Sequence, residues 1–306
     1  MTSLLQSLNK SQGMGRGNRP VQSSCHHENS QDFSHLRNLD SPTTCRPRWL
    51  RIYDREESYH EEEDLVSAFD TPRGTDSVAL ASGGLDSSTV LAISVARGYR
   101  PLPLTFRYGQ NHAIEIDRVH EIAASLDLPA PLILDLPFDK IGGSALLGSG
   151  PIPAEPEEGA TSRQEIPATY VPARNLVFLS VAIAVAEARG LRDIWIGVNA
   201  LDYSGYPDCR PEFLSSFLET AQLGTREGTS IDKEPWWRIQ APLVNLSKAE
   251  IIQTATELGL DLSLTLSCYD PNPQGLACGV CDSCGLRKKG FEEAGVEDPT
   301  GYQIRQ

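Results

Sequence analysis

Two clusters of residues in this 306-residue chain have types and spacings suited to chemistry. The first is Ala81-Ser82-Gly83-Gly84-Leu85-Asp86-Ser87-Ser88-Thr89-Val90-Leu91. Gly83 and Gly84 allow positive φ and a close approach of backbone to ligand. Ser82, Ser87 and Ser88 offer hydroxyl donors, and a helix starting within this stretch presents unpaired N–H groups and a dipole that favours an anion. Such a turn is a phosphate cradle. Gly-x-x-x-x-Gly-Lys-Ser/Thr and Gly-x-Gly-x-x-Gly are both missing from it, which disfavours a kinase-type γ-phosphate loop and a dinucleotide site. Asp86 suits either the helix N-cap or a ligand to phosphate-bound Mg2+. The second cluster is Cys268, Cys278, Cys281 and Cys284, spaced Cys-x9-Cys-x2-Cys-x2-Cys. Four thiolates so close in sequence can enclose one tetrahedral Zn2+ in a closed, structural site, with Gly275 and Gly279 easing the turns. An iron–sulfur cluster competes, but the Cys-Pro ending of the common ferredoxin run is missing.

These clusters need a scaffold, and the apolar patterning supplies one. Residues 77–81 read as a buried central strand and 87–96 as a helix, so strand, turn and helix succeed one another at the glycines. The alternation continues with strands at 101–107, 131–136, 193–198 and 238–244 and helices at 114–126, 173–189, 212–223 and 248–258. A Ser247–Glu250 capping box opens the last helix and Gly259 stops it. The expected fold is α/β, a parallel five-stranded doubly wound sheet with a C-terminal zinc knuckle and ligands at the carboxyl edge of its strands. Residues 137–172 are too long for a mere connection and are read as a lid or substrate wall.

Composition sets further bounds. With 40% hydrophobic residues the chain can bury a sizeable core, and a net charge of −14 opposes extended contact with a nucleic-acid backbone. No apolar run long enough to cross a membrane and no apolar N-terminal leader is present, so a cytoplasmic protein is expected. Residues 1–75 lack periodicity and are read as a mostly disordered extension. Residues 76–264 then form the ATP- and substrate-binding domain, and 265–306 the four-cysteine segment and tail.

The Ser82-Gly83-Gly84-Leu85-Asp86-Ser87 turn resembles the signature of the PP-loop ATP pyrophosphatases, whose fold is adenine nucleotide α-hydrolase-like. Further segments narrow the resemblance: Phe106-Arg107-Tyr108-Gly109-Gln110-Asn111-His112 with Glu115-Ile116, Tyr170-Val171-Pro172-Ala173-Arg174-Asn175, Ser204-Gly205-Tyr206-Pro207-Asp208-Cys209-Arg210 and Ser267-Cys268-Tyr269, closing with the cysteines and Leu286-Arg287. In this order, over about residues 76–292, they resemble the 7-cyano-7-deazaguanine synthase family. The resemblance implies a ligase that turns 7-carboxy-7-deazaguanine, ammonia and ATP into a nitrile in queuosine biosynthesis. It also implies a homodimer. Both carboxylate oxygens must leave, so ATP must activate the acid and then the amide. PP-loop logic favours adenylation with pyrophosphate leaving; release of ADP and phosphate is the competing account.

On this reading residues 81–91 bind ATP, and Arg174 and Lys248 are candidates for the cation that stabilises the leaving group, Lys248 being otherwise a first-turn surface lysine. Asp202 and Asp208 follow the fourth strand and are candidates to read the deazaguanine edge, where Tyr206 either stacks on the ring or simply packs. Tyr108, Gln110 and Asn175 complete the expected substrate contacts. His112 is the candidate proton acceptor, with Glu115 orienting it. Cys209 has no evident base partner and is not expected to act as a nucleophile. A PP-loop enzyme acting on tRNA or on a protein acceptor is the alternative; the acidic chain speaks against tRNA. Deleting residues 1–70 should leave the melting temperature and turnover nearly unchanged, because the segment precedes the first strand and lacks core periodicity; a truncated protein that retains its metal but no longer binds ATP would contradict this.

Overall fold

The computed structural model describes residues 71–109, 114–148, 150, 152, 166–199, 205–230 and 235–304. Gln110, His112, Asp202 and the whole stretch 1–70 lie outside them. The elements in chain order are β1 (Ser77–Leu80), α1 (Leu85–Ala96), β2 (Pro101–Arg107), α2 (Ile114–Ser125), β3 (Leu132–Asp135), α3 (Arg174–Ala188), β4 (Asp193–Trp195), α4 (Pro211–Gly224), α5 (Arg226–Thr229), β5 (Arg238–Gln240), α6 (Lys248–Glu257) and α7 (Asp282–Ala294). The five strands form one parallel sheet in the order β3-β2-β1-β4-β5. The expected α/β doubly wound sheet is therefore what the sequence makes.

Alternation along β1 explains the two layers of helices. Val78 and Leu80 enter a core with Leu179 and Ile183 of α3 and Phe217 of α4, whereas Ala79 and Ala81 face Leu91 of α1, Ile122 of α2, Ile251 of α6 and Phe291 of α7. Strands covered on both faces read as continuous apolar runs, as 77–81 does. Each fully buried Ile or Leu here, such as Ile194 and Ile239, contributes about 1.5–3 kcal/mol relative to exposure. Strand order reverses direction between β2-β1 and β1-β4, and such a switch point opens a crevice at the carboxyl ends of the central strands. The phosphate turn leaves β1 at that point. Among the described residues no helix is long and apolar enough to cross a membrane.

Two expectations need correction. β4 and β5 are three residues each, shorter than 193–198 and 238–244. Past Trp195 the pairing shrinks to one bond from Ile196 N–H to the Gln240 carbonyl, and beyond β5 the chain turns on itself through Val244→Ala241 and Leu246→Leu243 bonds. The cysteine segment is more than a knuckle and tail, since Cys281 is the N-cap of the 13-residue helix α7. Gly285 and Gly290 hid that helix from propensity; Arg287 and Phe291 at helical spacing, and Gly295 at φ +69°, were its signals.

α6 opens as its capping box requires. The Ser247 hydroxyl accepts from Glu250 N–H, and Glu250 Oε2 accepts from Ser247 N–H at 2.8 Å. The Ser247 backbone and hydroxyl hold the Glu250 carboxyl below its ordinary pKa. This cap fixes the first turn that carries Lys248. Ser247→Ala should therefore cost about 1 kcal/mol, read as a lower urea midpoint at unchanged m-value.

Candidate active site

One cavity of about 290 Å³ lies at the switch point, and most of the chemically suggestive residues line it. Its floor is the phosphate turn. Gly83 has φ +75°, and a Cβ there would lie 2.7 Å from the Glu115 carbonyl oxygen, so only glycine lets the first turn of α2 pack on the turn. Ser82 N–H donates to Ser87 Oγ at 3.1 Å, and the two hydroxyls lie 3.1 Å apart. Gly84 is the N-cap of α1, making Asp86 the second helical residue rather than the cap. Ala81, Ser82, Gly84, Leu85, Asp86 and Ser87 line the cavity. Ser88, Thr89, Val90 and Leu91 instead face the core: the Ser88 hydroxyl donates to the Gly84 carbonyl at 2.7 Å and that of Thr89 to Leu85 at 2.8 Å, so neither is a free phosphate donor.

Lys248 is not a surface lysine. Its Nζ reaches across from α6 to both Asp86 oxygens, at 2.8 and 2.7 Å, and Asn199 Nδ2 donates to Asp86 Oδ2 at 2.8 Å. Both charged side chains are four-fifths or more covered. Asn199 is a site residue that motif reading missed; its place just beyond β4, at the carboxyl edge, was the available signal.

The opposite wall is built on the start of α3. Ala173, its N-cap, is left-handed at φ 54°, and its N–H donates to the Tyr170 hydroxyl at 3.0 Å. That bend aims Arg174 into the cavity. Burial works against the Arg174 charge, yet Tyr108, Tyr269, Cys209 and Asp208 around it raise its pKa on balance. Burial likewise pushes the Tyr108 phenol up, Arg174 partly offsetting this. The Glu115 carboxyl is pushed up to about 7 by burial, against the pull of Arg174. Asn175 Nδ2 donates to Cys209 Sγ at 3.1 Å. Asp208 does not stand among the lining residues: it is buried, and its Oδ2 accepts the Asn175 N–H at 2.8 Å, so the carboxylate satisfies an orphan donor of α3. Tyr206 does line the cavity, its hydroxyl 2.9 Å from that of Thr169 and its ring 6.0 Å from the ring of Tyr170.

The four cysteines come together behind the phosphate turn. Their sulfurs all lie within 4.8 Å of one another, near the spacing of about 3.8 Å for sulfurs around a tetrahedral Zn2+, and all four are buried. Backbone N–H groups of Asp270 and Cys278 point at Cys268 Sγ, at 3.3 and 3.1 Å, and that of Cys281 at Cys278 Sγ, at 3.3 Å. Such donors stabilise thiolate and suit a metal site. The segment entering it braces the active site, since Leu266 N–H donates to the Gly83 carbonyl at 2.9 Å and Leu85 N–H to Ser267 Oγ at 3.2 Å. Ser267 and Tyr269, which the sequence offered only as part of the family resemblance, are thus cavity residues.

A parallel switch-point sheet whose Ser-Gly-Gly-Leu-Asp-Ser turn opens into a cavity at the carboxyl ends of its strands defines an α/β enzyme of the doubly wound class. Residues 76–295 match the family model described as queuosine biosynthesis protein QueC, and the chain belongs to that family. It is 53% identical over 226 residues to the 7-cyano-7-deazaguanine synthase of Syntrophobacter fumaroxidans, a match spanning 74% of this chain and 95% of that protein. The enzyme of the same name from Solidesulfovibrio magneticus is 52% identical over 226 residues, again 74% and 95% of the two chains. That of Myxococcus xanthus is 50% identical over 225 residues, covering 74% and 96%. Gly83→Ala should abolish ATP binding measured by calorimetry, because the new methyl is both strained at positive φ and jammed against α2; unchanged affinity would contradict the turn geometry.

Proposed function

We infer that this chain is a ligase that converts 7-carboxy-7-deazaguanine and ammonia to 7-cyano-7-deazaguanine at the expense of ATP, in queuosine biosynthesis. The observation that carries this is the shared cavity, in which the phosphate turn and the Asp86–Lys248 pair face Glu115, Arg174, Asn175 and Tyr206. Membership of the QueC family and relatives named 7-cyano-7-deazaguanine synthase support it. Residues 81–87 hold the phosphates, the turn and α1 presenting N–H groups toward them. Lys248 is the cation for the leaving group. Arg174 orients the acid, Asn175 contacts the substrate beside it, and Tyr206 and Tyr108 wall the base. Asp202, Gln110 and His112, outside the described residues, remain candidates for substrate contact. The enclosed site holds acid and nucleotide in attack geometry and places charge where charge develops.

Mg2+ belongs to the proposal because Asp86 is a carboxylate beside the phosphate turn, and Mg2+ is commonly held by one or two carboxylates plus substrate phosphates. Bound there, it would neutralise charge on the phosphates. One structural Zn2+ held by Cys268, Cys278, Cys281 and Cys284 fits the buried sulfur cluster and its N–H donors. The same reading includes a cytoplasmic homodimer and no direct binding of nucleic acid, which accords with the net charge of −14.

The test is mass spectrometry of the products formed from 7-carboxy-7-deazaguanine, ammonium, MgATP and the purified protein. The nitrile should form through the carboxamide, and the carboxamide should itself be a substrate. Asp86→Ala should still bind the acid but lose roughly 10²-fold or more of turnover. ATP consumed by another acceptor, with no nitrile, would overturn the reading. For the metal, Cys281→Ala should lose zinc and the yield of folded protein together, since a structural site contributes folding free energy; iron and sulfide in stoichiometric amount would replace zinc.

A further inference from the structure

The nitrogen that ends in a nitrile arrives as ammonia, and all three of its protons must leave. When ammonia attacks the activated carboxyl, a C–N bond forms, the C–O bond to the phosphate breaks with its electron pair, and one proton is lost from nitrogen. Activation of the amide oxygen gives an O-activated imidate and releases a second proton. Loss of the second oxygen with its phosphate forms C≡N and releases the third. A proton acceptor must therefore work at one nitrogen three times, beside the phosphate site. This holds for either mode of ATP cleavage, and it rests on the function proposed above.

Among the described residues that line the cavity, the carboxylates are Asp86 and Glu115. Asp86 is held by Lys248 and Asn199 at the phosphate end. Glu115 sits in the first turn of α2, whose backbone packs on Gly83, and its charge is felt by Arg174 and Tyr108 on the other side. Its backbone thus borders the phosphate turn while its side chain shares the cavity wall with Arg174 and Tyr108, the cavity in which the activated carbon must lie if phosphates occupy the turn. We propose that Glu115 contacts the incoming nitrogen and accepts its protons in all three steps, rather than orienting His112.

Its basicity suits the task. Burial raises the carboxyl to about 7, with Arg174 opposing, and a proton acceptor works best with a pKa near the working pH. The groups facing it are Arg174 of α3 and Tyr108 after β2. The same cavity is lined by the paired Asp86 and Lys248 and by Tyr269 and Arg287 from the C-terminal part. On its own helix Arg118 is engaged by Glu121 at 2.8 Å. Because the carboxylate is the working form, amide formation compared at equal free ammonia should rise with pH through about 7 and level off above it.

The test compares wild type, Glu115→Gln and Glu115→Asp in single-turnover conversion of 7-carboxy-7-deazaguanine across neutral pH. Ammonia, held at the same free concentration at every pH, and hydroxylamine serve as alternative nucleophiles. The adduct of hydroxylamine, a weak base, loses its proton without help, so hydroxamate formation reads activation alone. Glu115→Gln should keep hydroxamate formation within a few-fold of wild type, lose about 10²–10⁴-fold of amide and nitrile formation, and lose the rising limb. It should fail equally with the carboxamide. Glu115→Asp should recover part of the rate together with the limb. Amide formation by Glu115→Gln near the wild-type rate, or loss of hydroxamate along with amide, overturns the proposal. A wild-type protein that makes neither amide nor nitrile overturns the proposed function, and this inference with it.

Discussion

Everything at the site depends on how closely other backbone approaches the Gly83–Gly84 turn. The α2 first turn lies where a Gly83 side chain would be, Leu266 and Ser267 hydrogen-bond the turn from the cysteine segment, and a Cβ at Gly197 would meet Ser87 N at 3.1 Å. Three segments remote in sequence therefore converge on six residues. Each contributes to the site: α2 brings Glu115 and the cysteine segment Ser267 and Tyr269 into the cavity, and the end of β4 leads to Asn199, which holds Asp86. The four-cysteine cluster is coupled to the phosphate turn by the same contacts, since Cys268 directly follows the residues that brace it. Loss of the cluster would loosen the turn without any ligand being shared.

Charge is distributed along the cavity in two groups. Beside the glycine turn Lys248 and Asp86 pair and neutralise one another. Toward α3, Arg174 is surrounded by groups that favour its charged form, while Glu115 and Tyr108 are pushed toward their neutral forms by burial. A site so arranged presents cations to anionic substrate atoms and keeps a carboxyl that can change protonation near neutral pH. This division matches a reaction that moves phosphoryl charge at one end and protons at the other.

Much of this was legible in the sequence because it is local. Strand, glycine turn and helix follow one another within about twenty residues; the capping box at Ser247 and Glu250 is a four-residue pattern; four cysteines within seventeen residues can only be neighbours. What could not be read was produced by contacts across the fold. Lys248 was ambiguous until α6 was seen to point at α1, 162 residues away in sequence. Asp208 was plausible as a substrate contact until it was seen capping α3, and Ser88 was plausible as a phosphate donor until its hydroxyl was found turned back to Gly84. Helix α7 was obscured because glycines and charges outweigh its few apolar anchors.

The proposed function leaves one step to decide, and the PP-loop resemblance implies its answer: the turn holds ATP so that pyrophosphate leaves while the carboxylate oxygen is adenylated. Oxygen-18 tracing tests it most directly: 7-carboxy-7-deazaguanine labelled in both carboxylate oxygens is converted to completion with MgATP and ammonium, and the label is followed into the nucleotide and phosphate products. The account requires the label to appear in AMP. Label found only in inorganic phosphate would mean that the γ-phosphoryl group is transferred, and would contradict it.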